Sequence, residues 1–280
     1  DKAKEVLPPS SSRLEIVKAD LTNRKSVRGV VDGADGVVWA ATGFSDAASR
    51  TDKFKALLGL VTSSSFDVKA LRLLSECAGD NCRIVCCSSA GVTRPSWTDE
   101  AKERYTGASD IPIVRLNPLG ILDVKRKAED ELRASKQYTI VRPTGLNDDW
   151  PRGRVVFSQG DLAVGRISRA DVASTLATVA VDVNADSVNG KTFECFSLAG
   201  YPPPVSFEGQ LDRLQRDDAG PFSTDALDAT YALMQQLVPG AILRPQDLAM
   251  GQTYEQLDQG ETGRLGERGK EQIPASFSNT

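Results

Sequence analysis

The 280-residue sequence contains no histidine. Histidine general bases, Ser-His-Asp and Cys-His catalysis, His-ligated zinc and histidine pH switches are therefore excluded. No apolar run approaches the roughly 18 residues that a membrane helix needs, so any membrane contact would be peripheral. Basic residues are not in excess, because 34 Lys and Arg stand against 38 Asp and Glu for a net charge of −4. This balance argues against nucleic-acid binding.

The cysteines form no C-x-x-C pair and their number is odd. In a chain of this length the pattern predicts reduced thiols in a reducing compartment. Two of them fall in an apolar run, where a cysteine is typically a small buried hydrophobe. The five are Cys77, Cys82, Cys86, Cys87 and Cys195.

Short apolar runs alternate with segments of helical spacing up to about residue 200. This alternation predicts an α/β fold with a mostly parallel sheet. Ser168 is expected to cap the last of these helices, with Asp171 at its third position. The predicted strands cover 14–19, 36–41, 82–88, 138–142 and 191–197, and the predicted helices cover 26–31, 66–78, 118–135 and 169–182.

The character of the sequence changes after Tyr201 and three consecutive prolines. Residues 225–238 and 246–257 have helical patterns, and the glycine-rich, charged stretch 259–270 predicts a loose tail. The apolar face of the first helix is expected either to cover the preceding domain as a lid or to dock on a partner protein. Residues 1–200 and 201–280 are therefore treated as a domain and its extension.

Four stretches in a fixed order resemble the atypical short-chain dehydrogenase/reductase proteins of the NmrA-like kind, especially plastid and cyanobacterial members. They are VKADL at 17–21, VCCSSAGV at 85–92, the pair KRKAE at 125–129 and YTIVRPTG at 138–145, and ISRADVA at 167–173. The resemblance covers about residues 1–200 and implies a Rossmann-like, doubly wound fold that binds NADP or NAD. It does not choose between the two cofactors.

The resemblance also assigns roles to individual residues. Asp20 matches an aspartate that accepts from the adenine amine, with Leu21 beside the ring, while residues 40–43 match a strand end against the adenosine ribose. Ser88 or Ser89 matches a serine that orients substrate or cofactor. The cofactor-binding residues implied are Asp20, Leu21, Ala41, Thr42, Gly43, Ser88, Lys125, Arg142, Pro143 and Thr144.

Each of these residues also has an ordinary structural interpretation. Asp20 could cap the next turn, and the serines could be turn formers. Residues 40–43 could be a plain strand exit, Pro143 could simply end its strand, and Lys125 could be a solvated helix lysine beside two other basic residues. These alternatives stay open at the level of the sequence.

The catalytic motif of the superfamily, Tyr-x-x-x-Lys, is incomplete. The lysine lowers the pKa of the tyrosine phenol so that it can exchange a proton near neutral pH. Lys125 matches the lysine, but Ile121 stands where the tyrosine belongs. The candidate catalytic residues are therefore Lys125 and Ser89, without a proton donor between them.

No glycine-rich turn follows a predicted strand, although the dinucleotide fingerprint requires one. By resemblance, Asp1 falls in the helix after the second strand of the family. We therefore expect a segment before Asp1 that carries the first strand, the phosphate loop, its helix and the second strand.

Two functions follow from the resemblance. The first is an NAD(P)-binding auxiliary, assembly or scaffold protein of a plastid photosynthetic complex, in the stroma or on the stromal face of the thylakoid, held through the extension. The second is an NADPH-dependent atypical reductase whose proton comes from water or substrate. The missing tyrosine and the long extension favour the first. No metal site and no nucleic-acid partner are expected.

Overall fold

The computed structural model describes eleven segments of the chain. They are residues 14–42, 66–117, 120–135, 137–148, 152–181, 185–243, 245–249, 252, 256–257, 259–263 and 266–270.

A five-stranded sheet lies at the centre of the described structure, in the order β1-β2-β3-β7-β5. The first four strands run parallel and β5 is antiparallel to β7. A second sheet pairs the short strands β4 and β6 in parallel. The strands are β1 Gly36–Trp39, β2 Arg83–Cys87, β3 Tyr138–Pro143, β4 Gly145–Leu146, β5 Arg154–Ser158, β6 Arg166–Ile167 and β7 Lys191–Leu198.

Helices connect the strands and form the extension. They are α1 Arg24–Val31, α2 over 66–77, α3 Asp99–Arg104, α4 Thr106–Ser109, α5 Pro112–Leu116, α6 Ile121–Leu132, α7 Arg169–Val181, α8 Ala185–Val188, α9 Glu208–Leu211, α10 Thr224–Leu237 and α11 Pro239–Leu243. Short 3₁₀ turns cover Arg94–Ser96, Asp217–Ala219 and Pro245–Asp247. None of the described helices is long and apolar enough to cross a membrane.

Helices cover both faces of the sheet. Because successive side chains of a strand point to opposite faces, Ile84 and Ile140 pack with α1, α2 and α6. Their neighbours Val85 and Val141 pack on the other face with α7. This three-layer arrangement with a mostly parallel sheet is a Rossmann-like α/β fold, as predicted.

The predicted elements near residue 170 are confirmed in detail. The N–H of Asp171 donates to Ser168 Oγ at 3.1 Å, so the serine caps α7. The strand predicted over 14–19 is different, because apart from a bridge at Leu14 these residues have no regular structure. Leu14, Ile16 and Val17 are exposed, since among the described residues no strand forms a ladder with them.

The strand predicted over 36–41 is shorter and more exposed than expected. It covers Gly36–Trp39 and pairs with β2. Val38 is 44% exposed, whereas a strand in the middle of a parallel sheet is buried on both faces. Within the described chain β1 therefore lies at the end of the sheet.

The extension packs on the domain. Met234 of α10 is buried, and Leu227, Tyr231 and Leu237 pack with it against Tyr105, Leu162 and Phe196. Tyr231 Oη accepts the N–H of Gly107 at 2.8 Å. The apolar face of α10 therefore lies against this chain, as the lid interpretation expects.

Two expectations for the rest of the extension were wrong in part. Of the helix predicted over 246–257, the first part is instead the 3₁₀ turn Pro245–Asp247 followed by non-helical backbone at 248–249, whereas 256–257 are helical and 250–251 and 253–255 lie outside the described residues. The tail is not entirely loose, because Arg268 Nη1 donates to the carbonyl of Pro245 at 3.1 Å and Arg268 Nη2 pairs with Asp110 at 3.4 Å.

Candidate functional site

The ends of β2 and β3 meet at one edge of the sheet, here called the carboxyl edge. The N–H of Ser88 donates to the Val141 carbonyl at 2.8 Å, and the N–H of Ala90 donates to the Pro143 carbonyl at 2.9 Å. The segment after β2 therefore runs alongside the end of β3. Parallel strands place ligand sites at this edge, in the crevice outside their carboxyl ends.

Two hydroxyls at the carboxyl edge are buried without a hydrogen-bond partner among the described residues. They are Ser88 Oγ and Thr144 Oγ1. Buried hydroxyls are normally satisfied, so a pair without partners indicates a place where a ligand or water bonds to the protein. Ser89 differs, because its Oγ donates to the Ala90 carbonyl at 3.0 Å.

Lys125 lies one turn into α6, near the end of β2. Burial raises the pKa of the Cys87 thiol at the end of β2, and the positive charge of Lys125 opposes that rise. Ile121, at the first position of α6, packs against Val92 and Val114. The helix turn that carries Tyr-x-x-x-Lys in the superfamily therefore presents an apolar side chain and a lysine.

The residues expected around adenosine lie beside β1. Leu21 and Ala40–Ala41 line a mostly apolar cavity of about 350 Å³ together with side chains of α1 and α2. Thr42 is exposed just after them. Gly43 lies outside the described residues.

Asp20 has the structural role that the sequence left open, and its contact with adenine stays a prediction. Its Oδ1 accepts the N–H of Thr22 at 2.9 Å and the Thr22 hydroxyl at 2.7 Å, so it caps the turn before α1. The Thr22 hydroxyl, followed by its N–H, lowers the pKa of the Asp20 carboxyl. The side chain is exposed and stays an ionised acceptor next to Leu21.

Arg142 points into the interior rather than toward open solvent. Its Nε and Nη2 donate to the two carboxylate oxygens of Glu129 at 3.0 and 2.7 Å, and both side chains are buried. Pro143 is the last residue of β3, opposite Cys195, so it ends the strand as its structural interpretation expects. Arg142 therefore has a protein partner, and its cofactor-binding role remains a prediction.

The interior contains further charged residues that the sequence analysis did not single out. Asp161, in left-handed backbone with φ 58°, accepts the N–H groups of Gly91 and Thr93 at 2.6 and 2.8 Å. Arg94 Nη2 pairs with Asp161 at 3.6 Å, and Glu194 lies 3.9 Å from Arg142 Nη1. The ion network comprises Arg94, Glu129, Arg142 and Asp161, and the Glu194 carboxyl, whose pKa is raised by burial, lies beside it.

The signal for this network was the presence of charges inside strands that are otherwise apolar. Arg142 interrupts the run from Tyr138, and Glu194 lies between Phe193 and Cys195. A buried charge needs a partner, so these residues predict ion pairs. The identity of the partners could not be read, because they lie 13 to 67 residues apart in the sequence.

The hydroxyls of Tyr105 and Tyr138 form hydrogen bonds away from the position of the missing proton donor. Tyr105 Oη donates to Asp228 at 2.9 Å, and Tyr138 Oη donates to Asp217 at 3.1 Å. Burial and Asp217 raise the pKa of Tyr138 to about 12, and burial followed by Asp228 raises that of Tyr105. Both shifts are opposite to the lowered phenol pKa that proton transfer near neutral pH requires.

Known proteins match the chain in sequence and in fold. The model of the NAD(P)H-binding family matches residues 1–182. The chain belongs to the NAD(P)H-binding family. Among curated proteins none matches significantly.

Solved structures of similar fold include three bacterial proteins. An NAD-dependent epimerase/dehydratase from Bacillus halodurans is 26% identical, with 67% of this chain and 73% of that one covered at a TM-score of 0.44. The oxidoreductase ylbE from Lactococcus lactis is 17% identical, with coverages of 73% and 78% and a TM-score of 0.49. A short-chain dehydrogenase/reductase from Veillonella parvula, in complex with NADP, is 19% identical, with coverages of 73% and 84% and a TM-score of 0.48.

Family membership confirms the predicted cofactor class, NADP or NAD. The carboxyl edge fits such a group, because the unpartnered hydroxyls of Ser88 and Thr144 can donate to an amide oxygen and can donate to or accept from ribose hydroxyls. Among the described residues, no group of three or more Cys, Asp or Glu side chains is placed to hold a metal ion.

Proposed function

We propose that this protein binds NAD(P)H along the carboxyl edge and works as a binding subunit rather than as a tyrosine-dependent carbonyl reductase. The observation that carries the proposal is Ile121, an apolar side chain at the helix position of the proton donor, one turn before a retained Lys125. Cofactor binding and proton donation are separable, because each depends on different side chains.

The residues that would hold the cofactor form two groups. Leu21 and Ala41 would contact the adenine, and the ionised Asp20 carboxylate would accept from its amine. At the ends of β2 and β3, Ser88 and Thr144 would bond to polar atoms of the nicotinamide half. Lys125 would donate to ribose hydroxyls through its ammonium, which needs no proton transfer.

When bound, the cofactor supplies a hydride to an electrophilic carbon, and the oxygen of that group then needs a proton. In this chain the tyrosine phenol is replaced by an aliphatic side chain at residue 121. Tyr105 and Tyr138 donate to carboxylates elsewhere. Ordinary carbonyl reduction would therefore lack its acid, which is worth about 10²- to 10⁴-fold in rate.

A second candidate function is an NADPH-dependent reductase whose proton comes from water or from the substrate. The observation in its favour is the pair of unpartnered hydroxyls at Ser88 and Thr144, at the ends of β2 and β3. These groups are suited to hold a water molecule beside a developing alkoxide. Such an enzyme would act on substrates whose reduced form is stabilised without an enzymic acid.

The partner and the compartment are proposed on the resemblance to plastid proteins. A photosynthetic complex in the plastid, in the stroma or peripherally on the thylakoid, is the proposed partner. Because the apolar face of α10 lies against this chain, the contact with a partner is assigned to the rest of the tail from residue 259, of which Arg268 pairs with Asp110 of the domain. Deleting 259–280 should release the protein from its complex, and retention of the shortened chain in the complex would contradict this assignment.

Binding and turnover are tested separately. Calorimetry and nucleotide fluorescence with NADH and NADPH should show saturable binding, and its absence at millimolar ligand would refute cofactor binding. Absorbance at the nicotinamide band, with ketones and quinones as acceptors, should show no turnover by the native protein. Ile121→Tyr should create or raise turnover, and robust oxidation of NADPH by the unaltered protein would favour the reductase.

A further inference from the structure

The Glu129–Arg142 pair joins α6 to β3 just below the carboxyl edge. Two parallel bonds of 3.0 and 2.7 Å connect the guanidinium and the carboxylate, whose side chains are 7% and 1% exposed. This fork-on-fork contact is directional as well as strong. It fixes both the rotation of α6 and its position along the strand.

Lys125 lies four residues before Glu129 on the same helix. Residues four apart in a helix lie on nearly the same face, separated by about 6 Å along the axis. Arg142 is followed directly by Pro143 and Thr144 at the end of β3. The pair therefore links the segment that carries Lys125 to the segment that carries Thr144.

The ion network continues from this pair to the third segment of the site. Glu194 lies opposite Arg142 in the β3–β7 ladder. Asp161, paired with Arg94, holds the backbone N–H groups of Gly91 and Thr93 and so anchors the segment after Ser88. All three segments of the carboxyl edge that bear site residues are thus tied to one buried set of charges.

Stability alone does not account for a buried ion pair. Taking two charges out of water costs several kcal/mol per ion, and apolar side chains of similar volume are often as stabilising. Ala128 and Leu132 already pack α6 on the sheet. Arg133 also donates to Glu129, at 3.2 Å, and to Thr192 of β7, at 3.3 Å, so it connects the end of α6 to β7 rather than directly to β3.

We propose that Glu129, held by Arg142, is a positioning residue that sets where the Lys125 ammonium stands relative to Thr144 at the cofactor site. The proposal rests on the proposed function, because it assumes that Lys125 contacts NAD(P)H. It assigns Arg142 an indirect role in place of contact with the cofactor.

The test compares Glu129→Gln with Glu131→Gln in the full chain. Glu131 is a matched control, because it is on the same helix and makes a similar two-bond contact with Arg72, at 2.8 and 2.5 Å, but near the surface and to α2. Glu129→Gln should weaken NADPH binding about tenfold, as for the loss of one charge-assisted bond. Glu131→Gln should change it less than about twofold.

A double-mutant cycle separates positioning from general destabilisation. If Glu129 acts through Lys125, Glu129→Gln should cost no further affinity in a Lys125→Ala background. Equal losses in both backgrounds would overturn the proposal. Arg142→Lys, which keeps the charge but loses the fork, provides the same comparison if Glu129→Gln fails to fold.

A measurement without cofactor distinguishes failure of this proposal from failure of the proposed function. Lysines are labelled by reductive ¹³C-methylation, and the Lys125 signal is assigned with Lys125→Arg. The signal should shift or broaden in Glu129→Gln and Arg142→Lys and stay unchanged in Glu131→Gln. If the native protein binds no NAD(P)H, the proposed function fails, but the positioning role can still be tested with the Lys125 signal. A Lys125 signal that is unchanged in both Glu129→Gln and Arg142→Lys refutes the positioning role.

Discussion

Glu194 should make the stability of this protein fall as pH rises toward 8. Its carboxyl is 1% exposed and faces Asp161, Arg142 and Arg94. Burial, followed by the negative charge of Asp161, raises its pKa from an ordinary value of 4.5 to about 8, and the two arginines only partly oppose this rise. The perturbation is Glu194→Gln, which keeps the shape and fixes the neutral state.

The sign follows from proton linkage. Between pH 4.5 and 8 the folded state holds a proton on Glu194 that the unfolded state releases, so the free energy of unfolding decreases as pH rises through this window. One group contributes at most about 1.4 kcal/mol per pH unit. Relative to Glu194→Gln, the native protein should therefore lose on the order of 2–3 kcal/mol at most between pH 5.5 and 7.5.

The assay is urea unfolding of both proteins, followed by circular dichroism at half-unit steps of pH. Glu131→Gln is the control with the opposite sign, because hydrogen bonds from Arg72 lower the pKa of Glu131. Its stability difference should change only as pH falls below about 4.5. A difference between the native protein and Glu194→Gln that is constant from pH 5.5 to 7.5 would show that Glu194 is ionised in the fold and refute the reasoning.

Three further outcomes follow from the packing. Leu132→Ala, at a fully buried position under α6, should cost 2–5 kcal/mol in urea unfolding, and a loss below about 1 kcal/mol would contradict this placement. Tyr231→Phe removes the acceptor of the Gly107 N–H and should cost about 1–3 kcal/mol by the same assay. An unchanged urea midpoint would show that this bond does not hold α10 on the domain. Cys86 and Cys195, whose pKa values are raised by burial, should react with Ellman's reagent only after unfolding, and rapid labelling in the folded protein would place them at the surface.

Local patterns predicted the interior strands and the helices next to them. The run from Tyr138 and the run from Lys191 became neighbouring strands β3 and β7, and Ser168 caps α7 as its spacing required. These elements depend on short-range periodicity and capping, which a single sequence contains. The strand predicted over 14–19 was wrong, because an alternating sequence forms a strand only where a partner accepts and donates its backbone hydrogen bonds.

The sequence predicted which residues lie at the candidate site, but it did not predict which side chains bond to each other there. The segments of Ser88 and Thr144 lie side by side at the carboxyl edge because parallel strands end together, which the sequence pattern implies. The interior partner of Arg142 was not predictable, because Glu129 is on another element and its distance in space depends on how α6 packs. A motif residue at the right spacing can therefore serve the scaffold instead of the ligand.

Arg94 shows how misleading a map of mutational tolerance would be for this protein. Its fully buried guanidinium donates to the carbonyls of Asp161, Ala108 and Ala163 at 2.6, 2.9 and 2.6 Å, so one side chain joins the loop at 161–163 to α4. Lysine cannot reproduce this planar set of donors. In a saturation screen, position 94 should therefore be as intolerant as any cofactor contact. Intolerance alone would not locate the active site, and a ligand-binding readout must accompany the screen.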